Sequence, residues 1–184
     1  MSKSKSLFKD PKVLVLLSLL SALSILFGKY LAIPGGDVLR FSFENLPILL
    51  AGIHFGPIAG ALVGAIADLL GCLMVGYAIN PIVTVGAVAI GLTGGIAARL
   101  LPKGWPKLLR LAISVTVAHL LGSVVIKTFG LAAYYSMPFM VLMLWRLLNY
   151  AIIAVLEITL LYILTKNSAI AKQLRRFAKN SPLL

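Results

Sequence analysis

The chain has 184 residues, of which 60% are hydrophobic and only 12% charged, and its mean hydropathy is +1.03. A soluble domain charges about a quarter of its positions, so this composition excludes one and requires an integral membrane protein with room for roughly five to seven spans of ~20 residues. The formal charge of +12 does not point to nucleic acid, because the cations cluster beside apolar runs, as juxtamembrane loops do.

The N-terminal stretch MSKSKSLFKDPK is basic, and no small-residue cleavage site ends the run after it. Residues 1–12 are therefore expected to be a basic cytoplasmic tail ahead of a retained first span. The first apolar segment, Val13 to Ile33, carries Ser18 and Ala22 four apart, with Ser21, Ser24 and Gly28 nearby. Such a smooth face suits packing on another helix or on a partner protein.

Residues 39–50, LRFSFENLPILL, place polar groups directly ahead of the second apolar run, Leu46 to Val75. Arg40 either snorkels to the headgroups or faces a ligand. Glu44 and Asn45 read as helix-opening residues, where a carboxylate suits the positive end of the dipole. Phe41 and Phe43 either place a ring over a cavity or anchor the loop at the interface. The stretch reads as a lid or rim over a ligand.

Within the second run, HFGPIAG supplies a break, because Pro57 lacks a backbone donor and biases Gly56 away from helix. A short helix entering from about Phe41 and a second from about Ile58 to Val75 are expected. The second carries Gly56, Gly60, Gly64 and Asp68 at four-residue spacing, a pattern that brings helix backbones close in lipid. Asp68 then faces the bundle interior, either paired with Arg146 or Lys127 or in contact with a ligand. Cys72 reads as a small core residue with no Cys or His at metal-ligand spacing. In GCLMVGY, Tyr77 stands where a phosphate-binding loop needs lysine, so ATP is not cradled here.

Three further apolar segments follow, at Pro81 to Leu101, Leu108 to Gly130 and Phe139 to Leu164. His119 reads as a packed hydrogen-bonding residue. On the last segment Trp145, Arg146, Asn149 and Tyr150 span just over one turn. Arg146 can fork onto a carboxylate while Asn149 offers donor and acceptor, which suits a heteroaromatic edge, although an interhelical polar clasp uses the same groups. Glu157 lies deeper and reads as structural, near His54.

Charge parity sets the number of crossings. Lys3, Lys5, Lys9 and Lys12 precede the first span, Arg99, Lys103, Lys107 and Arg110 join the third and fourth segments, and Lys166, Lys172, Arg175, Arg176 and Lys179 follow the last. All should be cytoplasmic. That requires residues 46–75 to cross twice, giving an all-α domain of six transmembrane helices over residues 13–165, with both termini and the basic tail 166–184 inside. The cations left over, Lys29, Arg40, Lys127 and Arg146, then fall in the outer half with Asp37, Glu44, Tyr77, Asn80, Tyr134, Tyr135, Trp145 and Asn149. Polar groups at membrane depth mark a ligand or ion path, so these converge on one outward-facing cavity. No catalytic or metal constellation is legible, and an active process would draw its energy from another subunit or an ion gradient.

The stretch RFSFENLPILLAGIHFGPIAGALVGAIADLLG, together with LWRLLNY, resembles the substrate-binding S components of energy-coupling factor (ECF) vitamin transporters, and their folate-specific branch most closely. The resemblance covers nearly the whole chain. It implies a non-enzymatic subunit of the bacterial cell membrane, without a cofactor, that binds folate or a related vitamin from outside under its first loop. Such subunits dock on a membrane coupling subunit (EcfT-like) driven by two cytosolic ATPase subunits and are thought to topple to release cargo. The family's docking motif, A-x-x-x-A, has its nearest equivalent here in Ser18-x-x-x-Ala22. For a dianionic folate, the reading places Arg40 or Lys127 on the glutamate carboxylates, Asn149, Asn80 and Asp68 on the pterin edge, Arg146 on the ligand, and Phe41, Tyr77 and Trp145 in stacking. The alternatives are an S component for pantothenate, riboflavin or thiamine, of which cationic thiamine fits the positive cavity poorly, or a structural bundle.

Overall fold

The structure, a computed structural model, describes residues 8–34, 40–178 and 181–183; of Arg40 only the backbone is described, and Asp37 lies outside these residues. Helices α1 (Pro11–Tyr30), α3 (Pro57–Val75), α4 (Pro81–Leu100), α5 (Lys107–Tyr135) and α6 (Phe139–Lys166) are each long and apolar enough to cross a bilayer. Between α1 and α3 lies the short apolar helix α2 (Asn45–Phe55), and after α6 comes α7 (Ser168–Phe177). Two-residue strands β1 (Ile33–Pro34) and β2 (Arg40–Phe41) pair antiparallel in the connection from α1 to α2. Phe41 thus belongs to a strand, and α2 starts at Asn45 rather than near Phe41.

Helix starts follow local chemistry. Asp10 accepts a hydrogen bond from the Lys12 amide at 3.0 Å ahead of Pro11, and Asn80 accepts from the Ile82 and Val83 amides ahead of Pro81. Each pairs a capping oxygen with a proline whose missing donor costs nothing at that position. The turn from α2 to α3 hinges on Gly56, whose φ of 128° is open only to glycine without strain. Its amide donates to the Ala51 carbonyl at 3.2 Å, closing a π turn.

α2 determines the shape of the bundle. At 1.5 Å per residue it is about 17 Å long, little more than half of a ~30 Å hydrocarbon core. Asn45, Leu49 and Ile53 are fully buried, so the other helices surround it. Because its last residues join α3 at one end of the bundle, its first residues stop at mid-depth and leave a pit above them. Its close approach to neighbours rests on a glycine seam. A Cβ on Gly91 of α4 would land on the backbone of Gly60 in α3, and one on Gly52 of α2 would strike the Gly91 carbonyl.

The opposite end is sealed by the C-terminal segment. Leu174, Ala178 and Leu183 are buried in the core cluster with Val13 and Leu17, Arg110 donates to the carbonyls of Pro182 and Ala98 at 2.8 and 3.0 Å, and His54 Nδ1 lies 2.8 Å from Ser181 Oγ. Residues 168–177 form a helix here, where the sequence led to a plain tail, because their apolar residues recur on one face and find cover on the bundle.

Gly91→Ala is expected to lower stability by about 1–3 kcal/mol through overpacking, whereas Gly104→Ala, with nothing within 4 Å of the added methyl, leaves it unchanged. Thermal unfolding of the two variants in detergent checks this.

Candidate functional site

The pit above α2 is a cavity of about 330 Å³. Glu44, which opens α2, lies at its floor beside Asp68 of α3, Lys127 of α5 and Arg146 and Tyr150 of α6. Lys127, Arg146 and Tyr150 are buried. Toward the mouth stand Lys29, Asn80 and the exposed Tyr77, Tyr134 and Tyr135.

Three cations face two carboxylates here, and they are held in different ways. Lys127 Nζ donates to Glu44 Oε1 at 2.7 Å, and Lys29 and Arg146 also act on the Glu44 charge. Glu44 makes no side-chain capping bond to α2, so the capping role read from sequence gives way to an ion pair with a residue 83 positions distant. Arg146 donates through Nε and a terminal nitrogen to the Ser123 carbonyl, at 3.2 and 2.9 Å, and lies 5.2 Å from the centre of the Tyr150 ring. Lys29 Nζ approaches Cys72 Sγ at 3.6 Å and the Tyr77 ring at 5.6 Å. Arg146 and Lys29 are thus held mainly by neutral groups. Asp68 accepts from Thr84 Oγ1 of α4 at 2.7 Å, so of the two roles read for it, the pairing with Arg146 or Lys127 is not the one seen among the described residues.

Behind the floor lies a buried polar relay. His119 stacks on Tyr150 with ring centres 5.0 Å apart, its Nδ1 is 3.2 Å from Ser123 Oγ and its Nε2 is 2.6 Å from Glu157 Oε2. Glu157 is therefore the partner of His119, whereas His54 serves the far end. Since Ser123 also receives Arg146, one set of contacts fixes Tyr150 and Arg146 together. The π-helical stretch His119–Ile126 takes part in each of these contacts through His119 or Ser123, and a widened turn of this kind often accompanies a functional site.

Among the residues the sequence singled out, Asp68, Tyr77, Asn80, Lys127 and Arg146 line the cavity. Asn80 does so with its amide already engaged, Oδ1 at the start of α4 and Nδ2 donating to the Gly130 carbonyl at 2.9 Å. Asn149 is buried in α6 beside the cavity wall, Trp145 is 58% exposed on the outside of the bundle and Phe41 is 39% exposed in β2. The Arg40 side chain lies outside the described residues. Ser18 and Ala22 are exposed on α1, with Leu14, Val15 and Leu19 around them. Tyr150 and Cys72 were not read from sequence as cavity residues. Each lies four positions after a group that was, Arg146 and Asp68, and helical spacing alone carries that signal.

Residues 12–165 match the family model described as "ECF transporter, substrate-specific component". Over 66 residues, 36% of this chain, the sequence is 30% identical to the folate transporter FolT of Clostridium novyi (strain NT), and the match spans 38% of that relative's length. The fold is similar to that in a crystal structure of FolT bound with folic acid, with a TM-score of 0.67 and 21% identity over 83% of this chain and 90% of that one. It is also similar to the S component of a bacterial ECF transporter, with a TM-score of 0.60 and 23% identity over 83% of this chain and 94% of that one.

The relay behind the floor gives the site's scaffold a direct test. Glu157→Ala strips His119 of its buried partner and is expected to cost about 3 kcal/mol; Glu157→Gln, which keeps a hydrogen-bonding group at that position, costs less. Unfolding midpoints of both variants check the order.

Proposed function

The chain belongs to the ECF transporter substrate-specific component family, and we propose that it captures folate from outside the cell and delivers it inward on docking with an ATP-driven ECF module. The observation that carries the reading is the cavity itself. It has the volume of a small-molecule site, three cationic side chains at hand for an anion, and phenol rings at the mouth for a flat ring system. Folate joins two carboxylates to a planar pterin, and a FolT relative and a FolT fold stand among the similar proteins.

In this reading Lys127, Lys29 and Arg146 supply the field for the glutamate carboxylates, with Arg40 of the first loop adding to it. Asp68 and Asn80 take the polar edge of the pterin and Tyr77 its face; Asn149 supports Arg146 from one turn along α6, and Phe41 and Trp145 serve the loop and the bilayer interface. The cavity end faces outward. The basic clusters before α1, between α4 and α5 and after α6 then all lie in the cytoplasm, α2 counts as a sixth crossing completed by the loop above it, and both termini are inside. The exposed small residues Ser18 and Ala22 present a close-packing face to a membrane coupling subunit, which two cytosolic ATPases drive.

Calorimetric titration of the detergent-purified protein with folate, against pantothenate, riboflavin and thiamine, tests the reading without ATP. Selective folate binding is expected, and Arg146→Ala should weaken it at least tenfold, about 1.4 kcal/mol. Preference for anionic pantothenate would keep the family mechanism and replace the cargo; an unchanged affinity in folded Arg146→Ala would remove Arg146 from the site.

A further inference from the structure

Glu44 is held in place from several sides. Its backbone carbonyl accepts from Ser24 Oγ of α1 at 2.6 Å. A Cβ on Gly28 would come within 2.7 Å of Glu44 Oε2 and 2.9 Å of its Cβ, so α1 is bare where the carboxylate passes. Gly86 clears space for the partner in the same way, since a Cβ there would lie 2.5 Å from Lys127 Cγ. The pair that results is asymmetric: the Lys127 side chain is 5% exposed and that of Glu44 25%. Glu44 is thus the accessible half of an ion pair whose cation is buried.

An anion entering the cavity therefore meets Lys127 already neutralised. Two carboxylates on one ammonium in a low-dielectric pit repel each other, so the resident and the newcomer compete for it. Glu44 can yield to it, because the incoming carboxylate takes its place on Lys127 and the positive end of α2 still favours the Glu44 charge after it leaves. A cargo without charge leaves the pair intact and gains nothing from Lys127.

We infer that Glu44 is a resident counter-ion that holds Lys127 in the empty site and is exchanged for a carboxylate of the cargo, so that it limits affinity and sets the preference for charge. The inference rests on the folate reading above. It makes Glu44 a specificity-determining residue whose removal strengthens binding of the charged ligand, the opposite of what loss of a ligand contact does.

The test uses the full-length protein in detergent and two ligands of one skeleton, folate and its dimethyl ester, which lacks the carboxylate charges. Glu44→Gln keeps the side-chain length and removes its charge. It is expected to bind folate about fivefold tighter or more, the lower end of ordinary coupling between sites, with affinity for the ester unchanged. Glu44→Asp keeps the charge but is one methylene too short for the 2.7 Å contact; it should shift folate the same way by a smaller factor, which preserves the test if the Gln variant does not fold. Folate affinity that is unchanged or weaker in a folded variant, or an equal change for folate and ester, overturns the inference while leaving the folate reading standing. Absence of folate binding by the unaltered protein overturns that reading, and the inference with it.

Discussion

The half-length of α2 is the constraint on which the rest of the molecule depends. A helix of about 17 Å in a bundle of helices near 30 Å or longer cannot fill its column, and the part it leaves is the cavity. Its ending is as consequential as its length. Gly56 and Pro57 force the chain into α3 at once, so α2 is pinned at one end of the bundle and its first residue, with Glu44 just before it, stops in the middle. The glycine seam on Gly52, Gly60 and Gly91 then draws α3 and α4 against it so closely that, below the cavity, the three helices meet backbone on backbone. A membrane bundle gains little from the hydrophobic effect between its helices, and dense packing of this kind is what holds it together.

The charges follow from that geometry. A cation in such a pit is costly unless it is paired, and two unit charges 4 Å apart attract by about 4 kcal/mol at an effective dielectric of 20. Lys127, the deepest, has a carboxylate at 2.7 Å. Arg146 and Lys29 are served by a carbonyl, a thiol and two phenol rings, groups that hold a cation in position without cancelling it. The cavity therefore keeps a residual positive field. Arg110 at the opposite end is likewise held by two backbone carbonyls, but there the C-terminal segment covers it and no cavity opens onto its charge.

Much of this was legible in the sequence because it is local or periodic. The apolar runs marked the long helices, HFGPIAG marked the break, and four-residue spacing put Gly60, Gly64 and Asp68 on one side of α3. The gathering of Lys29, Lys127 and Arg146 at one end followed from charge parity. Depth and partnership were not legible. That Glu44 reaches Lys127 rather than α2, and that Glu157 meets His119 rather than His54, depend on how far α2 rises and how α5 and α6 are rotated against each other. No local pattern encodes either. The C-terminal helix was missed because a basic stretch after the last span reads as a solvated tail until its apolar stripe finds a surface to cover.

The two ends of the bundle also constrain how a ligand held in the cavity could leave it. A ligand resting on Glu44 has α2 beneath it, with Leu49 and Ile53 fully buried and the glycine contacts of α3 and α4 on its flanks. Below that lie His54, Arg110 and the buried Leu183. A passage straight through would have to separate backbones in van der Waals contact and uncover several buried polar atoms, each left without a partner while the passage is open. At the cavity end, among the described residues, only side chains such as Lys29, Tyr77, Tyr134 and Tyr135 stand at the rim. The mouth is thus the route of lower cost both into and out of this cavity.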